Sequence, residues 1–295
     1  MPEGDTIHKI AAAMRPALLE QRVQRARLRL WAAGTYRRAG PATSADATAA
    51  GTRIEGQVVR EVFARGKHLF VAFDEGLLLR SHLGMYGSWH RYRPAESWRK
   101  PEWQASIALW TGDGVFVCFN AREVELTHDP SIRHANFSNR LGPDLLGEEL
   151  DLELVVKRAR QFVEAETPLA DLLLDQRAAC GIGNVYKSEV LFMEGQGPVA
   201  TVGVVPDAAI RRLYQRARSL LLRNLGGGRR VTRFANDGQG RLWVYGRQGA
   251  PCFRCGAEIQ YARLGRDRRS TYWCPVCQDG VRKGIPLTQR PPGRA

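Results

Sequence analysis

The chain has 295 residues, 44% of them hydrophobic and 25% charged, enough for two domains and a small third, each with its own core. No apolar run is long enough to span a bilayer, and MPEGDTIHKI lacks the basic stretch and apolar core of a secretory leader. The formal net charge of +14 suits a polyanionic partner, nucleic acid ahead of an anionic membrane surface. That charge is concentrated: Gly226 to Ala295 holds 14 Lys and Arg against 4 Asp and Glu, so the C-terminal region is expected to carry much of the grip.

The first ten residues place Pro2 and Glu3 ahead of a helix whose apolar positions are Ile7, Ile10, Ala11, Met14 and Leu18, with Asp5 or Thr6 as the cap. A Met-Pro terminus is often no more than a helix start. With Met1 removed, however, Pro2 presents a secondary amine that titrates near pH 8, low enough to attack an aldehyde carbon and form a Schiff base. The positive end of the helix would help keep that amine unprotonated.

From Arg22 to His128 the pattern is that of strands, with turns at Asp74–Gly76 and Thr111–Gly114 and a loop at Ala32–Thr52. Lys67 follows Gly66 at a strand edge, and Met85 and Tyr86 sit at a glycine-flanked turn. Helical signals return with LGEELDLELVVKRARQFV. They continue at TPLADLLLD, where Thr167 and Pro168 mark the start, then at NVYKSEVLFME and VPDAAIRRLYQRARSLLLRNL. Two of these helices are joined by Gly181-Ile-Gly183-Asn184. Its glycines let backbone approach a phosphate, while Asn184 either caps the next helix or donates to the same anion.

Cys252-Phe-Arg-Cys255 and Cys274-Pro-Val-Cys277 enclose 18 residues, a spacing that supplies four thiolates for one closed, structural zinc site. The segment between them reads as a hairpin carrying Arg263, Arg266, Arg268 and Arg269, suited to a duplex backbone. Cys118 and Cys180 read as buried thiols.

Together these stretches resemble the family of formamidopyrimidine-DNA glycosylase and endonuclease VIII. The resemblance is carried by PEGDT, RGKHL (Arg65–Leu69), SHLGMYGSW (Ser81–Trp89), DQRAACGIGNVYKSE (Asp175–Glu189), VYGRQGAPCFRCG (Val244–Gly256) and RSTYWCPVCQ (Arg269–Gln278), in order along nearly the whole chain. It implies an α+β multidomain fold: a β-sandwich with a leading helix over 1–135, a helix–two-turn–helix domain over 136–228, and a zinc-finger hairpin with a basic tail over 229–295. It also implies a monomeric, cytoplasmic, nucleoid-associated repair enzyme. Such an enzyme removes an oxidised base from double-stranded DNA held between the domains, then cleaves the strand at the abasic site. Under the resemblance Pro2 is the nucleophile, Glu3 the acid/base and Lys67 a second catalytic lysine. Asn184 and Arg269 are phosphate ligands, Met85 and Tyr86 fill the gap left by the flipped nucleotide, and Lys187 is a further DNA contact.

Two departures from the oxidised-purine branch favour oxidised pyrimidines. Asn120-Ala-Arg122-Glu123-Val124-Glu125 stands where that branch carries Arg-Arg-Phe-Gly, and only RRVTRFANDGQGRLW separates Gly228 from Val244, too little for a long lid. Leu83-Gly84-Met85, by contrast, resembles the purine branch. The competing expectations are an 8-oxoguanine and formamidopyrimidine glycosylase of the same family, and a non-catalytic zinc-finger nucleic-acid binder.

Overall fold

The computed structural model describes residues 2–29, 53–128, 141–235 and 237–278. The loop expected at Ala32–Thr52 lies outside them. The chain divides into two units, Met1–Phe137 and Ser138–Ala295.

The first unit opens with helix α1 (Gly4–Leu18), which buries Ile7, Ala11, Met14 and Leu18. Eight strands follow: β1 (Arg25–Leu28), β2 (Val59–Arg65), β3 (His68–Phe73), β4 (Leu77–His82), β5 (Ser88–Tyr92), β6 (Ala105–Thr111), β7 (Gly114–Phe119) and β8 (Glu123–His128). They form two antiparallel sheets of order β1-β6-β7-β5 and β2-β3-β4-β8. Strand side chains alternate between faces. Leu69, Val71 and Phe73 of β3 and Leu77 and Leu79 of β4 therefore face Leu28, Ile107, Leu109 and Phe116 in one core with α1. The same alternation turns His68, Arg80 and His82 to the opposite face of their sheet.

Helix α1 begins one turn earlier than the sequence suggests. Glu3 occupies the cap position, and its carbonyl accepts from Thr6 N at 3.0 Å and Ile7 N at 3.2 Å, so Asp5 lies inside the first turn and is buried. An apolar stripe locates the buried face of a helix but not its first residue.

The second unit contains α2 (Leu152–Phe162), α3 (Leu169–Leu172), α4 (Asn184–Met193) and α5 (Asp207–Arg223), then the hairpin β9 (Gln260–Leu264) and β10 (Arg269–Trp273). Asp151 caps α2, accepting from Glu153 N at 2.8 Å and Leu154 N at 3.1 Å. Helix α3 is a single turn with Pro168, not Thr167, at its cap position. Leu169, Leu172, Tyr186, Val190, Leu213 and Tyr214 share the helical core, while Phe192, Val244, Ile259 and Cys274 form a smaller one beneath the hairpin. Cys118 and Cys180 are buried, as their surroundings imply. Among the described residues no helix is long and apolar enough to cross a membrane.

Candidate active site and nucleic-acid interface

Helix α1 runs antiparallel to β2. Its C-terminal end lies at the start of the strand, with Glu20 N donating to Val59 O at 2.8 Å, and Arg15 Nε donates to Val62 O at 3.0 Å. From Arg15 back to Glu3 the helix covers about 18 Å, and from Val62 on to Lys67 the strand covers about 17 Å. Pro2, Glu3 and Lys67 are thus brought to the same end of the first unit. Pro2 is half-buried and the Glu3 side chain fully buried. Lys67 lies not within a strand but in the two-residue turn between β2 and β3, which Gly66 permits by taking φ 56°.

A polar network lies beside this turn on the outward face of the sheet. Arg80 bonds Glu123 Oε2 at 3.0 Å and Glu125 Oε2 at 2.7 Å, and its Nη1 donates to His68 Nδ1 at 2.9 Å. That bond leaves the proton of a neutral His68 on Nε2. The His68 and His82 rings stand 4.8 Å apart. Burial is the main force holding His68 well below the usual histidine range, aided by His82 and the charges of Arg80 and Lys67. Burial likewise pushes His82 down to about 3, with Lys67, Arg122 and Arg80 adding to the shift. Both imidazoles are therefore neutral at pH 7, and His82 Nδ1 is buried with no hydrogen-bond partner among the described residues.

Beyond β4 the chain turns at Leu83–Gly87, closed by Gly87 N donating to Leu83 O at 3.0 Å. Met85 and Tyr86 project from it, 57% and 78% exposed, an unusual display for a thioether and a phenol side by side. Gly84 packs so closely that a Cβ there would lie 2.9 Å from Arg122 Cβ, which sets Arg122 against this turn.

In the second unit the Gly181–Asn184 turn is shaped by Gln176. Its side-chain amide donates to Leu174 O at 2.8 Å and Ile182 O at 3.2 Å, and its oxygen accepts from Gly181 N at 3.1 Å. Gly183 takes the cap position of α4, so Asn184 is the first helical residue rather than the cap. Arg269 opens β10, half-buried, 3.5 Å from Asp267 Oδ2. Lys187 corrects an expectation: it is fully buried, its ammonium donating to Ser270 O at 3.0 Å and Thr271 Oγ1 at 2.8 Å, so it does not reach DNA directly.

The sulfurs of Cys252, Cys255, Cys274 and Cys277 all lie within 4.8 Å of one another, with Cys252–Cys277 at 3.9 Å and Cys255–Cys274 at 3.4 Å. A tetrahedron of thiolates around a zinc ion has edges of about 3.8 Å, so the four cysteines fit such an ion. Amides face the sulfurs too: Arg254 N donates to Cys252 Sγ and Cys277 N to Cys274 Sγ, both at 3.4 Å.

The short segment after Gly228 is tied down. Glu189, fully buried on α4, accepts from Trp243 N at 2.7 Å, Val244 N at 2.9 Å and Tyr245 N at 2.7 Å, and also from the Thr232 hydroxyl. Arg233 pairs with Asp237 and stacks over Phe253 at 4.2 Å, while Arg247 covers the same ring at 3.4 Å. A cleft of about 730 Å³ opens between α3 and the hairpin turn, lined by Glu164, Glu166, Asp171, Asp175 and Asp267 among others. Arg177 and Arg266 line it as well, and Arg177 pairs with Asp175.

The profile of the formamidopyrimidine-DNA glycosylase N-terminal domain matches residues 1–142, and that of the same enzyme's H2TH domain matches residues 141–235. The chain belongs to the formamidopyrimidine-DNA glycosylase and endonuclease VIII family. Within it the chain sides with endonuclease VIII. It is 36% identical to the probable endonuclease 8 2 of Streptomyces coelicolor, over 95% of each chain. It is 38% identical to the DNA-(apurinic or apyrimidinic site) lyase Nei2 of Mycolicibacterium smegmatis, over 94% of this chain and 99% of that one. Lactococcus lactis formamidopyrimidine-DNA glycosylase, solved non-covalently bound to DNA containing an AP site, superposes with a TM-score of 0.73. At 23% identity over 94% of this chain and 99% of that one, it is a likeness of fold.

Set within this glycosylase family, the residues that sequence reasoning passed over are Arg80, Gln176 and Glu189. Arg80 follows a run of three leucines and Glu189 precedes Val190-Leu191-Phe192, which could have marked them, whereas Gln176 lies between Asp175 and Arg177 with no such signal. Among the described residues each holds other groups in place, Arg80 through side chains and Gln176 and Glu189 largely through backbone.

Proposed function

We propose that the protein is a DNA glycosylase with AP lyase activity in base excision repair, using Pro2 as nucleophile. The observation that carries this is the convergence of Pro2, Glu3 and the Lys67 turn at one end of the first unit. The target nucleotide leaves the stack before its sugar can be reached. The Pro2 nitrogen then bonds to C1′ as the glycosidic bond breaks and the base departs with a proton. Buried Glu3 protonates the sugar oxygen as the ring opens, leaving a protonated Schiff base. That iminium acidifies C2′, so loss of its proton expels the 3′ phosphate, and a second elimination expels the 5′ phosphate. Lys67 meets the phosphate or the leaving base, and neutral His68 and His82 beside it keep its charge available to that anion.

Asn184 and Arg269 hold the strand by its phosphates, and Met85 and Tyr86 fill the vacated stack. The functional division is 1–135 for chemistry, 136–228 for the helical grip and 229–295 for the zinc finger. Cys252, Cys255, Cys274 and Cys277 would hold one zinc ion, whose contribution is to fix the hairpin and leave no coordination position open. The protein acts as a monomer at the nucleoid on duplex DNA with oxidised or abasic sites.

The preferred bases are oxidised pyrimidines such as 5-hydroxyuracil and thymine glycol. They stack poorly and depend less on a closing loop. Supporting this, the segment from Arg229 to Trp243 is anchored through Thr232, Arg233 and Trp243. Glu123 is likewise engaged by Arg80 rather than available to an opposite base. Borohydride trapping on abasic duplex tests the nucleophile: the crosslinked residue should be Pro2, and a crosslink solely at an internal lysine overturns the assignment. Single-turnover rates test the lesion: 8-oxoguanine opposite cytosine outrunning both pyrimidines would reverse the preference.

A further inference from the structure

Lys187 is a full-length cation with no exposed surface, in a chain of formal net charge +14. Taking an ammonium out of water costs several kcal/mol unless its donors are met. Ser270 O and Thr271 Oγ1, two of the acceptors that it meets, belong to consecutive residues of β10, directly after Arg269. On α4, Lys187 lies three positions after Asn184, so the two share a helix face.

Ser188 adds a second tie to the same strand. Tyr272 N donates to its hydroxyl oxygen at 3.4 Å, and that hydroxyl donates to Asn184 O at 3.1 Å. At the other end of the hairpin, Asp171 Oδ2 accepts from Arg266 N at 2.9 Å. The contact is tight: a Cβ on Gly265 would lie 1.9 Å from Asp171 Oδ1. Arg269 therefore sits between two anchors, one at the hairpin turn and one along β10, and the second is rooted beside Asn184.

We propose that Lys187 is a positioning residue whose buried ammonium fixes the spacing between Asn184 and Arg269, so that the two grip the DNA backbone as one rigid clamp. Asp171 holds the free end of the same clamp. This rests on the reading of Asn184 and Arg269 as phosphate ligands. A lysine that touched DNA would add its own contact to theirs, whereas Lys187 acts only through Arg269.

The test is a double-mutant cycle on the full chain, with duplex carrying a reduced abasic site as probe and bound zinc measured in every variant. Arg269→Ala should weaken binding roughly tenfold or more and lower the salt slope by about one unit. Lys187→Met should keep one zinc per chain, lose a similar factor of affinity and the same unit of slope, and add less than about twofold when combined with Arg269→Ala. Asp171→Ala should behave alike, and Asp171→Asn, which keeps an acceptor for Arg266 N, should restore most of the affinity. Lys187→Met binding as tightly as wild type, or its loss adding fully to that of Arg269→Ala, overturns the proposal. If Lys187→Met does not fold, the Asp171 pair decides by the same criteria. Wild-type affinity in Arg269→Ala would instead remove Arg269 as a phosphate ligand, and the clamp with it.

Discussion

In the first unit a buried cation is answered by side chains: Arg80 faces Glu123, Glu125 and His68 on one face of a sheet. In the second unit the helix charges reach out to backbone: Lys187 holds Ser270 O, and Glu189 gathers the amides of Trp243, Val244 and Tyr245. A network of the first kind sets protonation and local field around the reactive end of the unit. One of the second kind sets where distant stretches of chain lie. Removing a partner in the first strands a charge; removing one in the second releases a segment.

The largest effect expected is chemical. Glu3→Gln should slow base excision by about 10² to 10⁴ while DNA affinity stays within a few-fold, because only proton transfer is lost. Equal single-turnover rates for the two proteins would take Glu3 out of the mechanism.

Next comes the stranding of charge. Arg80→Met takes the nearer cation from half-buried Glu123, leaving Arg122 Nε 3.9 Å away, and should cost about 2 kcal/mol of stability, read from urea unfolding of the two proteins. A change below 0.5 kcal/mol would mean that the carboxylates find water instead.

Release of a segment should show in binding before stability. Cys274→Ala leaves three thiolates, so zinc content should fall below one per chain and DNA affinity should drop about tenfold as the strand bearing Arg269 loosens. Full affinity with the metal gone would detach the grip from the metal.

The smallest effect is pH dependence. The unfolded chain protonates His82 near 6.5, whereas the folded one resists until about 3. The unfolded state therefore binds more protons in that window, and stability, complete above pH 6.5, should decline as pH falls towards 3. His82→Gln should flatten the decline between pH 7.5 and 5.5 in urea midpoints; parallel curves for the two proteins would assign it elsewhere.

Much of the candidate site was legible because the chemistry proposed for it depends on local spacing. Pro2-Glu3, Gly181–Asn184 and the two cysteine pairs are each contained within four residues, and short motifs survive without knowledge of the fold. Alternation also foretold the strands, whereas their arrangement in two sheets was implied by the family resemblance alone. What escaped was whatever depends on distant partners. Arg80 finds Glu123 and Glu125 across a strand pairing that no local pattern encodes. Lys187 is expected as a DNA contact from its place beside the Gly181–Asn184 turn, and nothing in that stretch announces its burial. Yet α4 is buried on every side from Val185 to Phe192, with its polar run turned to segments some 40 to 85 residues further on. Glu3 as the cap escaped for a simpler reason: propensity favours the shorter Asp5 or Thr6.

The burial of α4 also bears on how such proteins can be recombined. A chimaera cut just before Cys252 would carry the hairpin away from Lys187 and Ser188, leaving the donor strand to meet a foreign helix face. The exchangeable cassette starts upstream, ahead of Gly181, so that the turn, the helix and the hairpin travel together. Asp171, which meets the hairpin turn from still earlier in the chain, then has to be matched by design, as do Thr167 and Arg160, which meet Val202 and Asp207 across the same junction.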